Sequence, residues 1–273
     1  MSLRLSPGLV RAALSASLFF SAQAALADRA HLILDAQSGA VLEAKNPDEL
    51  NFPASLTKMM TLYLTFEALQ KGTLKWDDKL VLSANAESKD PFKYALGPGK
   101  TITVKEAVLG MIVLSANDAA VAVAEHFSGS EADFGKVMTA KAHALGMTNT
   151  VFTNPAGLPD PAQVSTAKDM GTLGLALMRD FPEEFKLFST RKFVFRGMKL
   201  HGHNRMMASY KGVDGIKTGY TKAAGYNLVT SASKDGKRVI GVVIGAKSAT
   251  ERDQQMTDLL NTYLGGETKA AKR

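Results

Sequence analysis

Tyr226-Asn-Leu-Val-Thr-Ser231, Lys234-Asp-Gly-Lys237 and Arg238-Val-Ile-Gly-Val-Val-Ile244 follow one another closely and decide the fold. Two segments that alternate or run apolar flank an Asp-Gly turn signal, which predicts an antiparallel hairpin. A second hairpin is predicted at the opposite end, where Ala30-His-Leu-Ile-Leu-Asp35 and Ala40-Val-Leu-Glu-Ala44 bracket Gln37-Ser-Gly39. Between them the apolar period becomes helical. One helical stretch opens after Pro53, runs from about Ala54 to Gln70 and stops at Gly72. Thr103-Val-Lys-Glu106 is a capping-box pattern that starts a helix through Leu114; Asn117-Asp118 interrupts it, and Ala119 to Phe127 resumes. Ser130 to Leu145 and Ala167 to Met178 read as further helices, and Lys192-Phe-Val-Phe195 as a strand. Ser248 and Glu251 cap a last helix, on which Met256, Leu259, Leu260, Tyr263 and Leu264 recur at helical spacing. Strands at both ends with helices between predict an α+β (α/β sandwich) fold. One antiparallel sheet is drawn from both termini and flanked by helices, beside a mostly helical subdomain.

The first 27 residues read as a signal peptide rather than as part of that fold. Arg4 and Arg11 precede a short apolar run from Ala12 to Phe20, and Ala22-Gln-Ala24 and Ala25-Leu-Ala27 both suit cleavage. The run is too short to span a bilayer as a helix. The chain is therefore expected to be exported, to the periplasm or cell envelope. Residues 28–266 would form one catalytic unit, and 267–273 a solvated basic tail. The formal net charge of +7 is mild and unclustered, so it suits an anionic surface or a carboxylate-bearing substrate and not nucleic acid. There is no cysteine, so an exported chain of this kind must rely on its core, to which 45% hydrophobic residues contribute. Thiol nucleophiles and thiolate metal sites are excluded at the same stroke.

Three short motifs carry chemistry. Ser55-Leu-Thr-Lys58 puts a hydroxyl and an amine three apart at a helix start, hence on one face. A serine hydroxyl is a poor nucleophile until a base takes its proton. Lys58 can be that base if burial and neighbouring cations lower its pKa. The backbone N–H of Ser55 would meet a developing oxyanion. Ser115-Ala-Asn117 lies in a predicted break between apolar helices, where Ser115 would pass a proton to a leaving amine and Asn117 hold a substrate amide. Lys217-Thr-Gly219 offers a cation for a carboxylate, a hydroxyl donor, and a small residue that lets a substrate backbone come close. Counting ranks them: Ser-x-x-Lys occurs four times and Ser-x-Asn twice, but Lys-Thr-Gly once.

With their flanks, these motifs resemble the low-molecular-mass penicillin-binding proteins that are serine D-alanyl-D-alanine carboxypeptidases, of the peptidase S11 type. The resemblance is carried by Pro53-Ala-Ser-Leu-Thr-Lys-Met-Met-Thr61, Ser115-Ala-Asn-Asp-Ala-Ala120 and Asp214-Gly-Ile-Lys-Thr-Gly-Tyr-Thr221. Phe152-Thr-Asn-Pro-Ala-Gly-Leu158 and Ala224-Gly-Tyr-Asn-Leu228 support it. It implies the serine β-lactamase/transpeptidase-like fold and a peptidoglycan stem peptide as substrate. It also implies covalent inhibition by β-lactams, no cofactor and at most peripheral membrane association. Ser55 would be acylated, Lys58 its base, Ser115 part of the proton relay, and Asn117, Lys217, Thr218 and Gly219 would contact substrate. Tyr220 would give the second oxyanion N–H, and Arg252 would meet the terminal carboxylate. Two departures stand out. Ala156 occupies a position where many relatives carry histidine, and the β-rich second domain and amphipathic anchor of many relatives are not expected.

Four other readings are weaker. Class A β-lactamases need a glutamate-bearing loop between the second and third motifs, and residues 147–165 contain only Asp160 as an acid. A zinc peptidase would need more than His201-Gly202-His203, so no metal is expected. A non-catalytic muropeptide-binding protein has no use for an activated serine. A D,D-endopeptidase uses the same residues, and the motifs do not separate it from a carboxypeptidase.

Overall fold

The computed structural model describes residues 30–265, so the leader read at 1–27 and the tail at 267–273 lie outside the described residues. Its strands are β1 (Ala30–Asp35), β2 (Val41–Lys45), β3 (Lys79–Val81), β4 (Thr101–Thr103), β5 (Lys192–Phe195), β6 (Met198–His201), β7 (Val213–Thr221), β8 (Gly225–Lys234) and β9 (Lys237–Ala246). Five of them form one antiparallel sheet in the order β2-β1-β9-β8-β7, while β3 pairs with β4 and β5 with β6. Both predicted hairpins are present. Asp235 (φ 50°) and Gly236 (φ 79°) turn β8 into β9 in left-handed conformations, which asparagine, aspartate and glycine accept most readily. The Lys-Thr-Gly motif lies inside β7, at the edge of the sheet.

The helices are α1 (Lys58–Gln70), α2 (Ala84–Glu87), α3 (Val104–Leu109), α4 (Asn117–Ser128), α5 (Glu131–Ala144), α6 (Ala167–Asp180), α7 (Pro182–Phe185), α8 (Met206–Ser209) and α9 (Ala249–Leu264). α6 covers one face of the sheet and α9 the other. Along β9, Ile240, Val242 and Ile244 join the core on the α6 side, while Val239 and Val243 meet Met256 and Leu260 of α9. That alternation follows from the pleat of a strand buried on both faces. Small residues set the distances: a Cβ added at Gly171 of α6 would lie 2.8 Å from the Leu32 Cδ2 tip.

The helical half shares the α6-side core. α1 is apolar on nearly all sides, and Met59, Met60, Leu62 and Phe66 are fully buried, each contributing roughly 1.5–3 kcal/mol. The predicted capping box at Thr103 and Glu106 forms in full. The helix expected through Leu114 differs. It gives way after Leu109 to a wider π-type turn over Gly110–Leu114 and ends at Ser115, whose φ is +61°. The break therefore sits at Ser115 and Ala116, and Asn117 and Asp118 are the first residues of α4. Asp118, fully buried, ties that start to the preceding loop. Its carboxylate accepts the N–H groups of Tyr94 (2.7 Å) and Ala119 (2.8 Å). At the other predicted cap, Ser248 accepts the Glu251 N–H, but the Glu251 carboxylate reaches the N–H of Lys247.

Candidate active site

Three elements converge on the backbone that leads into α1. A short 3-10 turn, Ala54–Thr57, carries Ser55, and Ala54 before it has φ +49°, a conformation few non-glycine residues adopt. Gly157 (φ 82°) sits against that bend so closely that a Cβ there would lie 1.8 Å from the Ala54 carbonyl oxygen. From the other side, a Cβ on Gly219 of β7 would lie 3.1 Å from both the Pro53 oxygen and the Ser55 nitrogen. Asn227 of β8 completes the clamp. Its amide donates to the carbonyls of Phe52 (3.0 Å) and Pro53 (3.2 Å), and its oxygen accepts the Gly245 N–H (3.0 Å). Ser55 itself remains half-buried.

Lys58, one turn further on, is completely buried and makes no ion pair among the described residues. Its Nζ lies 2.7 Å from Asn117 Oδ1, 2.6 Å from the Ala156 carbonyl and 3.4 Å from Ser55 Oγ. Desolvation first, and then the charge of Lys217, hold its pKa well below that of an ordinary lysine, against the opposing pull of Asp118. A neutral amine has two N–H donors and one lone pair. In the neutral form the two oxygens would take the donors and leave the lone pair toward the serine hydroxyl.

The loop that supplies the Ala156 oxygen is fixed by Asn154, whose Oδ1 accepts the N–H groups of Ala156, Gly157 and Leu158. Thr61 of α1 donates to the Pro155 carbonyl at 2.7 Å. Lys58 uses the backbone at residue 156, so the side chain there does not enter the contact. That accounts physically for an alanine at this position.

Lys217 is 3% exposed, and its Nζ donates to the Thr218 carbonyl at 2.9 Å. Burial, with a contribution from the Arg252 charge, lowers its pKa to about 7. Arg252 is 4% exposed, not a solvated helix residue. It is held by Asp253 through Nε at 2.9 Å and through a terminal nitrogen at 2.7 Å. Lys217 thus lies within electrostatic range of both Lys58 and Arg252. Thr218 is partly exposed, and Tyr220 is exposed with its ring against Tyr226, centroids 4.2 Å apart.

Two motif residues also make contacts within the chain that their motifs do not display. A Cβ on Gly219 would meet atoms of Pro53, Ser55 and Leu56, so this glycine serves the seam between β7 and α1. Asn117 Oδ1 faces Lys58, and its Nδ2 donates to the carbonyls of Asp90 (2.9 Å) and Lys89 (3.2 Å), so it orients the lysine. Ser115 is buried beside them, and its Oγ has no hydrogen-bond partner among the described residues. A buried hydroxyl without a partner, in a left-handed conformation at the end of a π-type turn, is a feature that clusters at functional sites.

Sequence reasoning missed three participants. The Ala156 oxygen is a backbone atom that no motif displays, and the Asn227 side chain acts on the backbone of Phe52, Pro53 and Gly245. His203 was considered only as a metal ligand with His201. It lines the cleft with Lys217 and Thr218, and its ring stands 4.7 Å from that of Phe92. Burial and the Lys217 charge hold its pKa below the usual histidine value.

The geometry has counterparts. The sequence profile of Peptidase S11, described as D-alanyl-D-alanine carboxypeptidase, matches residues 18–248. This chain belongs to the Peptidase S11 family. The D-alanyl-D-alanine carboxypeptidase DacA of Haemophilus influenzae is 40% identical over 235 residues, 84% of this chain and 60% of that protein. Penicillin-binding protein 5 of the same organism superposes with a TM-score of 0.82 at 39% identity, covering 85% of this chain and 69% of that one. Penicillin-binding protein D2 of Listeria monocytogenes, solved in an ampicillin-bound form, gives a TM-score of 0.78 at 34% identity over 86% of this chain and 96% of that one. The fold of this S11 chain is therefore that of the penicillin-binding proteins. The chain spans about 60% of the length of the first curated relatives it matches.

Proposed function

We propose that residues 28–266 form a serine D-alanyl-D-alanine carboxypeptidase, which removes the terminal D-alanine of peptidoglycan stem peptides. One observation carries this reading: a fully buried lysine, its donors taken by Asn117 and Ala156, with its remaining valence toward Ser55. Lys58 Nζ takes the Ser55 proton as Oγ bonds to the carbonyl carbon of the penultimate D-alanine. The oxyanion is met by the backbone N–H groups of Ser55 and Tyr220. The carbon–nitrogen bond then breaks, and the proton held by Lys58 passes through the Ser115 hydroxyl to the leaving amine. Water adds to the acyl-enzyme and gives its proton to Lys58; as the ester bond breaks, Lys58 returns that proton to Ser55 Oγ, which restores the neutral amine and the free hydroxyl. Lys217, Thr218 and Arg252 bind the substrate's terminal carboxylate end. Asn117 orients Lys58 and holds a substrate amide.

β-Lactams present a strained amide to the same serine and should acylate it, as the ampicillin-bound Listeria relative suggests by analogy. Export follows from the leader read at residues 1–27, cleaved near Ala24 or Ala27. Among the described residues no helix is long and apolar enough to cross a membrane.

The test uses purified protein with a pentapeptide ending in D-Ala-D-Ala and, separately, a cross-linked dimer. Release of free D-alanine from the pentapeptide supports the proposal. Cleavage of the dimer alone replaces it with an endopeptidase. Fluorescent penicillin should label the wild type and leave Ser55→Ala unlabelled; labelling that survives the substitution removes Ser55 from its role.

A further inference from the structure

Two aromatic rings from separate segments meet at the Lys217 end of the cleft. Phe92 comes from the loop ahead of β4, and its carbonyl accepts the Asn117 N–H at 2.7 Å. His203 comes from the segment between β6 and α8, and its ring reaches the backbone of Leu114, the residue directly before Ser115. Each ring is therefore fastened to one shoulder of the Ser115-Ala-Asn117 turn. Their centroids are 4.7 Å apart and their planes inclined at 50°, within the range where aromatic pairs attract. His203 also faces β7, since it lines one pocket with Lys217 and Thr218. Phe92 remains 41% exposed, so burial of its ring adds little to stability. The pair bridges the Ser115 wall and the β7 wall.

Behind His203 the cleft does not continue. The recess that His203, Lys217 and Thr218 share has a volume of only about 10 Å³, room for roughly one water. Ile112, Val113 and Phe188 also line it.

The reacting groups fix how a leaving residue meets this bridge. Its amine receives a proton through Ser115, and its carboxylate is bound by Lys217 and Thr218. The one further substituent on its Cα that varies is the side chain. A side chain larger than a methyl group, carried between Ser115 and Lys217, runs into the surface that spans those two residues.

We infer that Phe92 and His203 together restrict the leaving residue to a small side chain, and so favour release of a terminal D-alanine over cleavage of a cross-link. In a cross-link the leaving residue carries a second peptide, which the closed end has no room to pass. The inference rests on the carboxypeptidase reading and supplies a physical basis for its preference. Both residues act by shape, and neither takes part in bond making.

Two peptides test it, identical except that one ends in D-Ala-D-Ala and the other in D-Ala-D-Leu. The wild type should prefer the first by about a hundredfold in kcat/KM, as expected where extra carbons must overpack a closed wall. Phe92→Ala should cut that ratio about tenfold by raising turnover of the D-Leu peptide, and His203→Ala should move it in the same direction. Lost structure cannot imitate this result, because it lowers both peptides together. The substitutions lie in separate segments, so if one variant fails to fold the other decides. Equal kcat/KM for the two peptides on the wild type, or a ratio that the folded variants leave in place, overturns the bridge. If the wild type cleaves neither peptide, the carboxypeptidase reading fails, and titration onto Ser55→Ala decides the bridge by itself. Weaker binding of the D-Leu peptide, restored by adding Phe92→Ala, sustains it. Equal binding, or a deficit that persists, ends it.

Discussion

The contact of α6 with the sheet and the seam between β7 and α1 are both set by glycines, but the atoms facing those glycines differ in kind. On α6, Gly171 looks onto the methyl tips of Leu32 and Leu34, and Gly174 onto those of Ile240 and Val229. At the seam, Gly157 and Gly219 look onto the carbonyls and amides of Pro53, Ala54 and Ser55. Side-chain tips give way by rotation; a backbone pinned on both sides does not. The first contact supplies stability and tolerates adjustment. The second fixes the position of one hydroxyl and does not.

Gly157→Ala should break the contrast most severely, because the new Cβ meets backbone atoms at 1.8 and 2.3 Å and the residue's φ is +82°. Overpacking and the positive φ together should cost about 3 kcal/mol or more, read from urea midpoints, with penicillin labelling lost in parallel. Asn227→Ala comes next. It strands the Phe52 and Pro53 carbonyls and the Gly245 N–H, for about 2 kcal/mol. Its labelling rate should fall more than that of a surface variant of equal stability, since the segment it releases carries Ser55.

The pH profile sharpens the electrostatic side. Lys217, lowered to about 7, is cationic below that pH in the free protein and loses its charge as pH rises through it. In the proposed reaction, kcat/KM for a peptide with a free C-terminal carboxylate should therefore fall above about pH 7. Lys58 works in the opposite sense: it must be neutral, so activity should also fall on the acid side, as it gains a proton. Arg252→Gln removes a cation that depresses Lys217 and should move the alkaline limb upward. An unmoved limb would detach Arg252 from that role. The smallest effect belongs to Gly171→Ala on α6. Displacement of Leu32 is offset by about 1 kcal/mol of helix propensity, so urea midpoint and labelling should stay near wild type.

What was legible in the sequence follows the same division. The β8–β9 hairpin, the Thr103 capping box and the end of α1 near Gly72 are local devices, and the residues that make them are adjacent in the chain. Ser55, Lys58, Ser115 and Lys217 were legible because their chemistry belongs to side chains in short motifs. Gly219 and Asn117 were found by their motifs, but their contacts within the chain were not legible, since what they touch comes from distant segments: the start of α1, and the loop at Lys89 and Asp90. The Asn227 clamp and the Ala156 oxygen were not legible. A backbone carbonyl has no letter of its own, and only the folded chain shows which one a lysine reaches. The π-type turn before Ser115 was hidden in an otherwise regular helical pattern.

The order of the sheet has one more consequence. β9, which runs to Ala246, lies between β1 and β8, so Ala30 pairs with Ile244 and Asp35 with Val239. The strand that unites the two ends of the chain is the last strand of the sheet to be synthesised. Until it exists, the N-terminal hairpin has no central partner, and the floor beneath the Ser55 clamp is incomplete. Pairings so distant in sequence are slow to form and come late in folding. Assembly of this molecule is consequently governed by residues 237–246, and the nucleophile, encoded early, acquires its surroundings only once they are in place.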